Sequence, residues 1–264
     1  MSNIIGIVGQ GFVGSAIKEG LQHLFKIETY DKFKNDASTC ESVKQLCGKT
    51  KLIFICLPTP MKKDGSCDLS IIKNTIEEID SNSNKHIAII KSTVPPGTTK
   101  KLNKLCKDLQ IVFNPEFLTE ANYIDDFKNQ NRIIIGGPRP ASTIVKNMYR
   151  KAFQQTPIIN TAEMVKYFTN CFLATKVSFA NEVKQICDAH KIDFDKVSEY
   201  ALYDQRIGKT HLSVPGPDGK NGFGGSCFPK DLNALIHFAL ESGIEPKILL
   251  AIWDKNLEVR PEKD

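Results

Sequence analysis

The chain has 264 residues, of which 41% are apolar and 25% charged, and it carries a formal net charge of +5. This is enough chain for one large or two modest domains with real cores, and the composition is ordinary for a globular protein in water. The cations are spread along the sequence without a Lys/Arg block, and no apolar run approaches the ~18 residues of a membrane span, so neither a nucleic-acid nor a membrane partner is expected and an anionic small molecule suits the surface.

In chain order, short apolar runs at Ile4–Val8, Lys26–Tyr30, Leu52–Leu57, Ile87–Lys91, Ile111–Phe113 and Arg132–Ile135 read as strands. The first begins so early, at Asn3-Ile4-Ile5, that no leader peptide fits before it. Between the strands, amphipathic periodicity predicts helices at Val13–Leu24, Thr39–Cys47, Leu69–Ile79, Thr98–Leu109 and Ala141–Phe153. Strands joined by helical crossovers predict an α/β domain with a doubly wound, mostly parallel sheet covered on both faces.

The pattern changes after Thr156-Pro157. One helix without Gly or Pro is predicted from Thr161, its expected cap, to about His190. Further helices are predicted at Phe194–Tyr203, Asp231–Ser242 and Lys247–Glu258, with a long Gly/Pro-rich loop over Arg206–Gly225. A loop of that length is usually functional. The expected organisation is a domain over residues 1–158 and an all-helical domain over residues 159–264.

Eight cysteines occur without C-x-x-C spacing, in a chain too large and apolar to need disulfides. Cys56, Cys171 and Cys187 read as small buried hydrophobes. A reducing, cytoplasmic setting is expected, with no metal site and one cysteine of chemical importance.

Gly9-Gln10-Gly11-Phe12-Val13-Gly14 follows an apolar strand and opens a helix, which is the Rossmann-like context for G-x-G-x-x-G. The first glycine allows the turn, the second lets a pyrophosphate reach backbone N–H groups, and the third allows close helix–strand packing. Asp31 ends the second strand at the distance expected of the ribose-binding acid, which favours NAD over NADP, with Lys32 beside it. Pro58 and Thr59 follow the third strand and Thr93 follows the fourth, where a bound cofactor is contacted.

Glu116 and Glu120 lie in the loop Asn114–Glu120 after the fifth strand. Lys166 and Asn170 share one face of the long helix, an ammonium and an amide suited to oxyanion stabilisation. Cys227 sits in Gly222-Phe223-Gly224-Gly225-Ser226-Cys227-Phe228-Pro229-Lys230-Asp231, where a thiol beside a nicotinamide can trap an aldehyde and permit a second oxidation.

Taken in order, Gly9–Gly14, Pro58-Thr59-Pro60, Lys91-Ser92-Thr93, Asn114–Leu118, Glu163 through Lys166 to Asn170, Arg206-Ile207-Gly208 and Gly222–Asp231 resemble the UDP-glucose/GDP-mannose dehydrogenase family over nearly the whole chain. The Ser226-Cys227-Phe228 form is similar to the UDP-glucose branch, with GDP-mannose enzymes as the alternative. The resemblance implies an NAD-dependent four-electron oxidation of a sugar C6 hydroxyl through a Cys227 thiohemiacetal and thioester. It implies Glu116 as base, Lys166 and Asn170 as oxyanion partners, and Thr93 and Asp231 as water-positioning groups. Lys230 and Glu120 join the cofactor contacts. Phe117, Leu118, Thr119 and Glu120, with Arg206 and the Gly222, Phe223 and Gly224 backbone, become contacts to the sugar or diphosphate. It also implies a homodimer through the long helix. Family members usually carry a further α/β unit that binds the nucleotide, and the sequence ends before one, at Asp264. The insertion-like His211–Lys220 is a candidate lid. Two other readings stand beside this one: a two-electron β-hydroxyacid dehydrogenase with Lys166 as proton-transfer group, and a cofactor-binding module without catalysis.

Overall fold

A computed structural model describes residues 3–130, 132–153, 158–159 and 162–261. The chain forms two compact units, Met1–Pro60 with Asp68–Lys166, and Met61–Cys67 with Tyr167–Asp264.

The first unit runs β1 (Ile4–Val8), α1 (Phe12–Leu21), β2 (Lys26–Tyr30), α2 (Val43–Lys49), β3 (Leu52–Ile55), α3 (Ser70–Ser81), β4 (Ile87–Ile90), α4 (Thr98–Leu105), β5 (Gln110–Phe113), α5 (Tyr123–Lys128), β6 (Ile134–Ile135), α6 (Ala141–Ala152), β7 (Ile158–Ile159) and the first turn of α7 (Ala162–Ala189). The five long strands make one parallel sheet in the order β2-β1-β3-β4-β5. Alternate residues on β3 enter opposite cores. Phe54 joins Ile5, Ile7, Leu21 and Tyr149, while Ile53 and Ile55 join Ile76, Ile90 and Ile111. Burial on both faces explains why these strands are continuous apolar runs, each fully buried Ile or Phe contributing about 1.5–3 kcal/mol. The order reverses between β1 and β3, and in open α/β sheets ligands bind beyond the strand ends at such a point.

Three local departures from expectation have physical reasons. Helix α2 starts at Val43, not Thr39, because the Thr39 hydroxyl accepts from Thr29 N (2.8 Å) and donates to Glu28 Oε2 (2.8 Å), while Ser42 caps Gln45 N (3.1 Å). Helix α5 has six residues and buries only Phe127, too little to set up a readable period. The predicted sixth strand shrinks to β6, which pairs in parallel with β7. The expected Thr161 cap lies outside the described residues.

The second unit contains the rest of α7, then α8 (Phe194–Ala201), α9 (Phe228–Glu241) and α10 (Lys247–Val259); α7, α9 and α10 share a core with Phe223 (Cys171, Ala174, Leu232, Ile236, Ile252), and α8 buries Phe194 with Ala180, Cys187 and Val214. Helix α9 begins at Phe228, three residues before the predicted Asp231, with Pro229 in its first turn. Proline is pre-organised for that position, and the longer helix puts Cys227 at its N-cap. The preceding loop is pinned by buried amides: Asn181 accepts from Gly222 N (3.2 Å), and Asn256 both accepts from Phe223 N (2.7 Å) and donates to Phe223 O (3.0 Å). Gly222 has φ +68°, and a Cβ there would lie 2.6 Å from Asn256 Oδ1, so only glycine fits. Among the described residues no helix is long and apolar enough to cross a membrane.

Candidate active site

The glycine turn fits a dinucleotide on its own geometry. Gly9 has φ +93°, and a Cβ there would lie 2.3 Å from Cys56 O, while one on Gly14 would lie 1.9 Å from Gly9 O. A Cβ on Gly11 would meet nothing within 4 Å, which leaves open space beside the N-cap of α1 for a pyrophosphate. Asp31, after β2, accepts from Gln10 N (2.6 Å), Phe33 N (2.9 Å) and Lys34 N (3.1 Å). Burial pushes this carboxyl upward, but the three backbone donors outweigh it and hold the group below the usual range. A carboxylate has about four lone-pair sites, so an acceptor remains for a ribose hydroxyl. Lys34, which the motif does not single out, ties β2 to the turn by donating to Gln10 O (3.0 Å). Lys32 is exposed, 5.9 Å from the Phe33 ring centroid. Phe12 is largely exposed with its ring against Tyr123, and Val13 packs on the core.

The loops after β3 and β4 are knitted together. The Thr59 hydroxyl donates to Thr93 O (2.9 Å), and Ser92 Oγ donates to Leu57 O (2.6 Å) while accepting from Leu57 N (3.0 Å). Pro58 and Thr93 are thereby fixed beside the ends of β3 and β4.

Beyond β5, Glu116 meets Lys166. The Lys166 ammonium donates to Glu116 O (2.8 Å) and Oε1 (3.0 Å), and Glu116 Oε2 accepts from Leu118 N (2.7 Å). Burial raises the Glu116 pKa. The Lys166 charge, the Leu118 N–H and Lys91 together reverse this and lower it, so the group is an ionised, oriented carboxylate. The start of α7 is anchored by Glu163, which accepts from Gly97 N (3.2 Å) and Thr99 N (3.0 Å) at the head of α4. The Phe117 ring lies 5.2 Å from Lys166 Nζ and 4.4 Å from the Arg132 guanidinium. Glu116, Phe117, Leu118, Thr119, Lys91 and Arg132 line a pocket of about 360 Å³. Thr119 donates to Asp126 through both its N–H and its hydroxyl, and Glu120 is exposed.

In the second unit, Asn170 Nδ2 donates to Asp231 Oδ2 (2.6 Å), and Lys230 pairs with the other carboxylate oxygen. Asn170 and Asp231 are both buried. Cys227 is the exposed cysteine, the other seven being buried or partly buried. Its N-cap position on a 14-residue helix favours negative charge at sulfur. Arg206 reaches outward and is paired with Asp204. Phe223 is a core residue, its ring packed against Phe228 and Trp253 and its backbone taken up by Asn256, while Gly224 is half-buried in the loop. Among the described residues no cluster of His, Cys, Asp and Glu could hold a metal ion.

The chain matches two family models, the NAD binding domain of the UDP-glucose/GDP-mannose dehydrogenase family over residues 17–154 and its central domain over residues 160–258. It is 36% identical over 222 residues to the UDP-glucose 6-dehydrogenase TuaD of Bacillus subtilis (strain 168), covering 79% of this chain and 47% of that one. It is 37% identical over 221 residues to a UDP-glucose 6-dehydrogenase of Rickettsia bellii, covering 79% and 50%. A UDP-glucose dehydrogenase structure from Pyrobaculum islandicum superposes with a TM-score of 0.89 at 29% identity, covering 98% of this chain and 68% of that one. The chain thus spans about half the length of the curated relatives it matches. With its NAD-binding and central domains both matched, the chain belongs to the UDP-glucose/GDP-mannose dehydrogenase family.

Proposed function

We propose that the protein oxidises the C6 hydroxyl of UDP-glucose to the carboxylate of UDP-glucuronate, using NAD and a covalent intermediate on Cys227. The observation that carries this reading is the exposed Cys227 at the head of α9, one turn before the Lys230–Asp231–Asn170 cluster. Held by the glycine turn and Asp31, NAD supplies the hydride acceptor for both oxidations. Sγ of Cys227 adds to the aldehyde carbon, forming a C–S bond, and the carbonyl oxygen gains a proton. The carbon keeps the hydrogen that the second oxidation removes, which a free aldehyde could not offer in that form. Water then adds to the thioester, the C–S bond breaks, and the thiol and the carboxylate are left. The net change per sugar consumes one water and yields two NADH and three protons.

Glu116, already ionised, serves as the base for the hydroxyl and later for water. Lys166 and Asn170 offset the charge on the oxygen at each tetrahedral stage, and Thr93 and Asp231 position the water. Phe117–Glu120, Arg206 and the Gly224 backbone take the sugar and diphosphate, the Gly222 and Phe223 backbone being held by Asn181 and Asn256. The relatives named UDP-glucose 6-dehydrogenase support this substrate. Exposed Phe168, Phe172, Phe179 and Ile186 on α7 support a homodimer through that helix.

A stoichiometric assay tests the reading: two NADH per UDP-glucose are expected, and one NADH with released aldehyde would refute it. Running GDP-mannose in parallel decides between the two substrates in the family's description.

A further inference from the structure

We infer that Lys91 is a positioning residue for Glu116: its ammonium holds the Asn114-Pro115 turn that presents the carboxylate and supplies part of the positive field around it. The inference rests on the role proposed for Glu116. Lys91 stands just past the end of β4 and is buried, although it lines the same pocket as Glu116. Its Nζ donates to Asn114 Oδ1 (2.9 Å) and Pro115 O (3.3 Å), the two residues preceding Glu116. The other bonds of Asn114 fasten that turn to the rest of the unit. Tyr149 OH on α6 donates to Asn114 Oδ1 (2.6 Å), and Asn114 Nδ2 donates to Ile134 O of β6 (2.8 Å). Lys91 therefore closes a network tying β4, the turn after β5, β6 and α6 together beneath one carboxylate. A methionine would fill the same space without the desolvation cost of an ammonium, so packing alone does not account for a charge here.

The groups facing Lys91 define what can titrate beside it. They are Cys56 after β3, Glu116 after β5, Lys166 on α7 and, through Asn114, Tyr149 on α6. Burial pulls Lys91 down to about 8, with Cys56 and Glu116 opposing and Lys166 adding to the fall. Burial pushes the Cys56 thiol up to about 12 and Tyr149 upward as well, so both are neutral at pH 8. Glu116 is held low and ionised throughout, so Lys91 is the group of this network that changes charge near pH 8.

The test is NMR of the whole protein labelled with carboxyl-13C glutamate, with the Glu116 resonance identified by its loss in Glu116→Gln. In the wild type that resonance should show a second, smaller step near pH 8, as Lys91 loses its proton. In Lys91→Gln the step should vanish and the Glu116 pKa should rise by about half a unit or more. The acid limb of kcat/KM for UDP-glucose should move with it, while KM for NAD holds. A Glu116 resonance that is flat from about pH 7 to 9.5, or one unchanged in Lys91→Gln, overturns the inference. Should Lys91→Gln not fold, the wild-type titration decides. Should the wild type turn over no nucleotide sugar, the proposed function falls, and the NMR titrations still decide the place of Lys91.

Discussion

Asn170 Nδ2 lies 2.6 Å from Asp231 Oδ2, and the second oxygen of that buried carboxylate is taken by Lys230. A charge removed from water is tolerable only when its lone pairs are satisfied by good donors, and here an amide and an ammonium do it. Asp231→Asn keeps the shape but faces Lys230 with a neutral group and Asn170 with a possible donor. The expected result is a loss of about 1–3 kcal/mol in stability, read by denaturant unfolding. NADH production from UDP-glucose should fall by roughly a hundredfold, since one site group is neutralised and another displaced. Asn170→Ala should give a similar loss of rate with a smaller loss of stability, because a neutral donor is removed and Lys230 still pairs with the carboxylate.

Cys227 is the exposed cysteine of the chain and stands at a helix N-terminus, so a short iodoacetamide pulse should modify it ahead of the others, as peptide mass mapping will show. Cys227→Ser should bind NAD as the wild type does, because the glycine turn, Asp31, Pro58, Thr59 and Thr93 lie in the first unit and the substitution leaves Lys230 in place. Its acid formation should fall by roughly a thousandfold or more, with at most one NADH per sugar. Two NADH per sugar from Cys227→Ser at the wild-type rate would rule out the covalent route and point to oxidation of the aldehyde as its hydrate.

What could be read from sequence was local chemistry. Gly9–Gly14 and Asp31 announce themselves because a tight turn and a strand-end acid are short-range demands. Lys166 and Asn170 follow from helical spacing. Four features depended on distance or context instead. The Glu116–Lys166 pair closes a gap of 50 residues, which no local period encodes. Lys91 sits at the end of an apolar run, and its burial is set by the turn after β5 and by α6, both remote in sequence. Phe223, placed by motif among the substrate contacts, has its ring in the core because Phe228 and Trp253 come from other segments of the second unit. The helix predicted from Asp231 starts at Phe228 instead, because Pro229 occupies its first turn and Cys227 its N-cap.

Acid stability should report Glu28. Burial raises its carboxyl, but hydrogen bonds from Lys26, Lys49 and Thr39 prevail and bring it from 4.5 to about 2. A depressed carboxylate contributes its stability above the unfolded-state value and loses it as the pH falls through the folded one. The contribution is therefore whole above about pH 4.5 and gone near pH 2. Lys26 and Lys49 are substantially exposed, so solvent screening limits its size to on the order of 2 kcal/mol. Glu28→Gln should cost about that much at pH 7 and flatten the acid limb of a urea-unfolding series between about pH 4.5 and 2.

The three glycines of the turn should separate fold from cofactor binding. Gly14→Ala would put a methyl 1.9 Å from Gly9 O, a contact with backbone that no side-chain adjustment relieves. Gly9→Ala adds a left-handed φ of +93° to a 2.3 Å approach to Cys56 O. Both should lower the melting temperature as well as weaken NAD binding. Gly11 differs, because its Cβ direction is empty within 4 Å and its φ lies outside the left-handed region. Gly11→Ala should therefore leave the melting temperature of the free protein within about 2 °C of wild type, since nothing in the fold meets the added methyl. Its NAD affinity, measured by calorimetry, should fall by roughly tenfold or more, because the methyl occupies the space the pyrophosphate needs to reach the N–H groups of α1. Undiminished NAD affinity in Gly11→Ala would mean that the cofactor approaches the turn from another side, and the assignment of Asp31 to the ribose would fall with it.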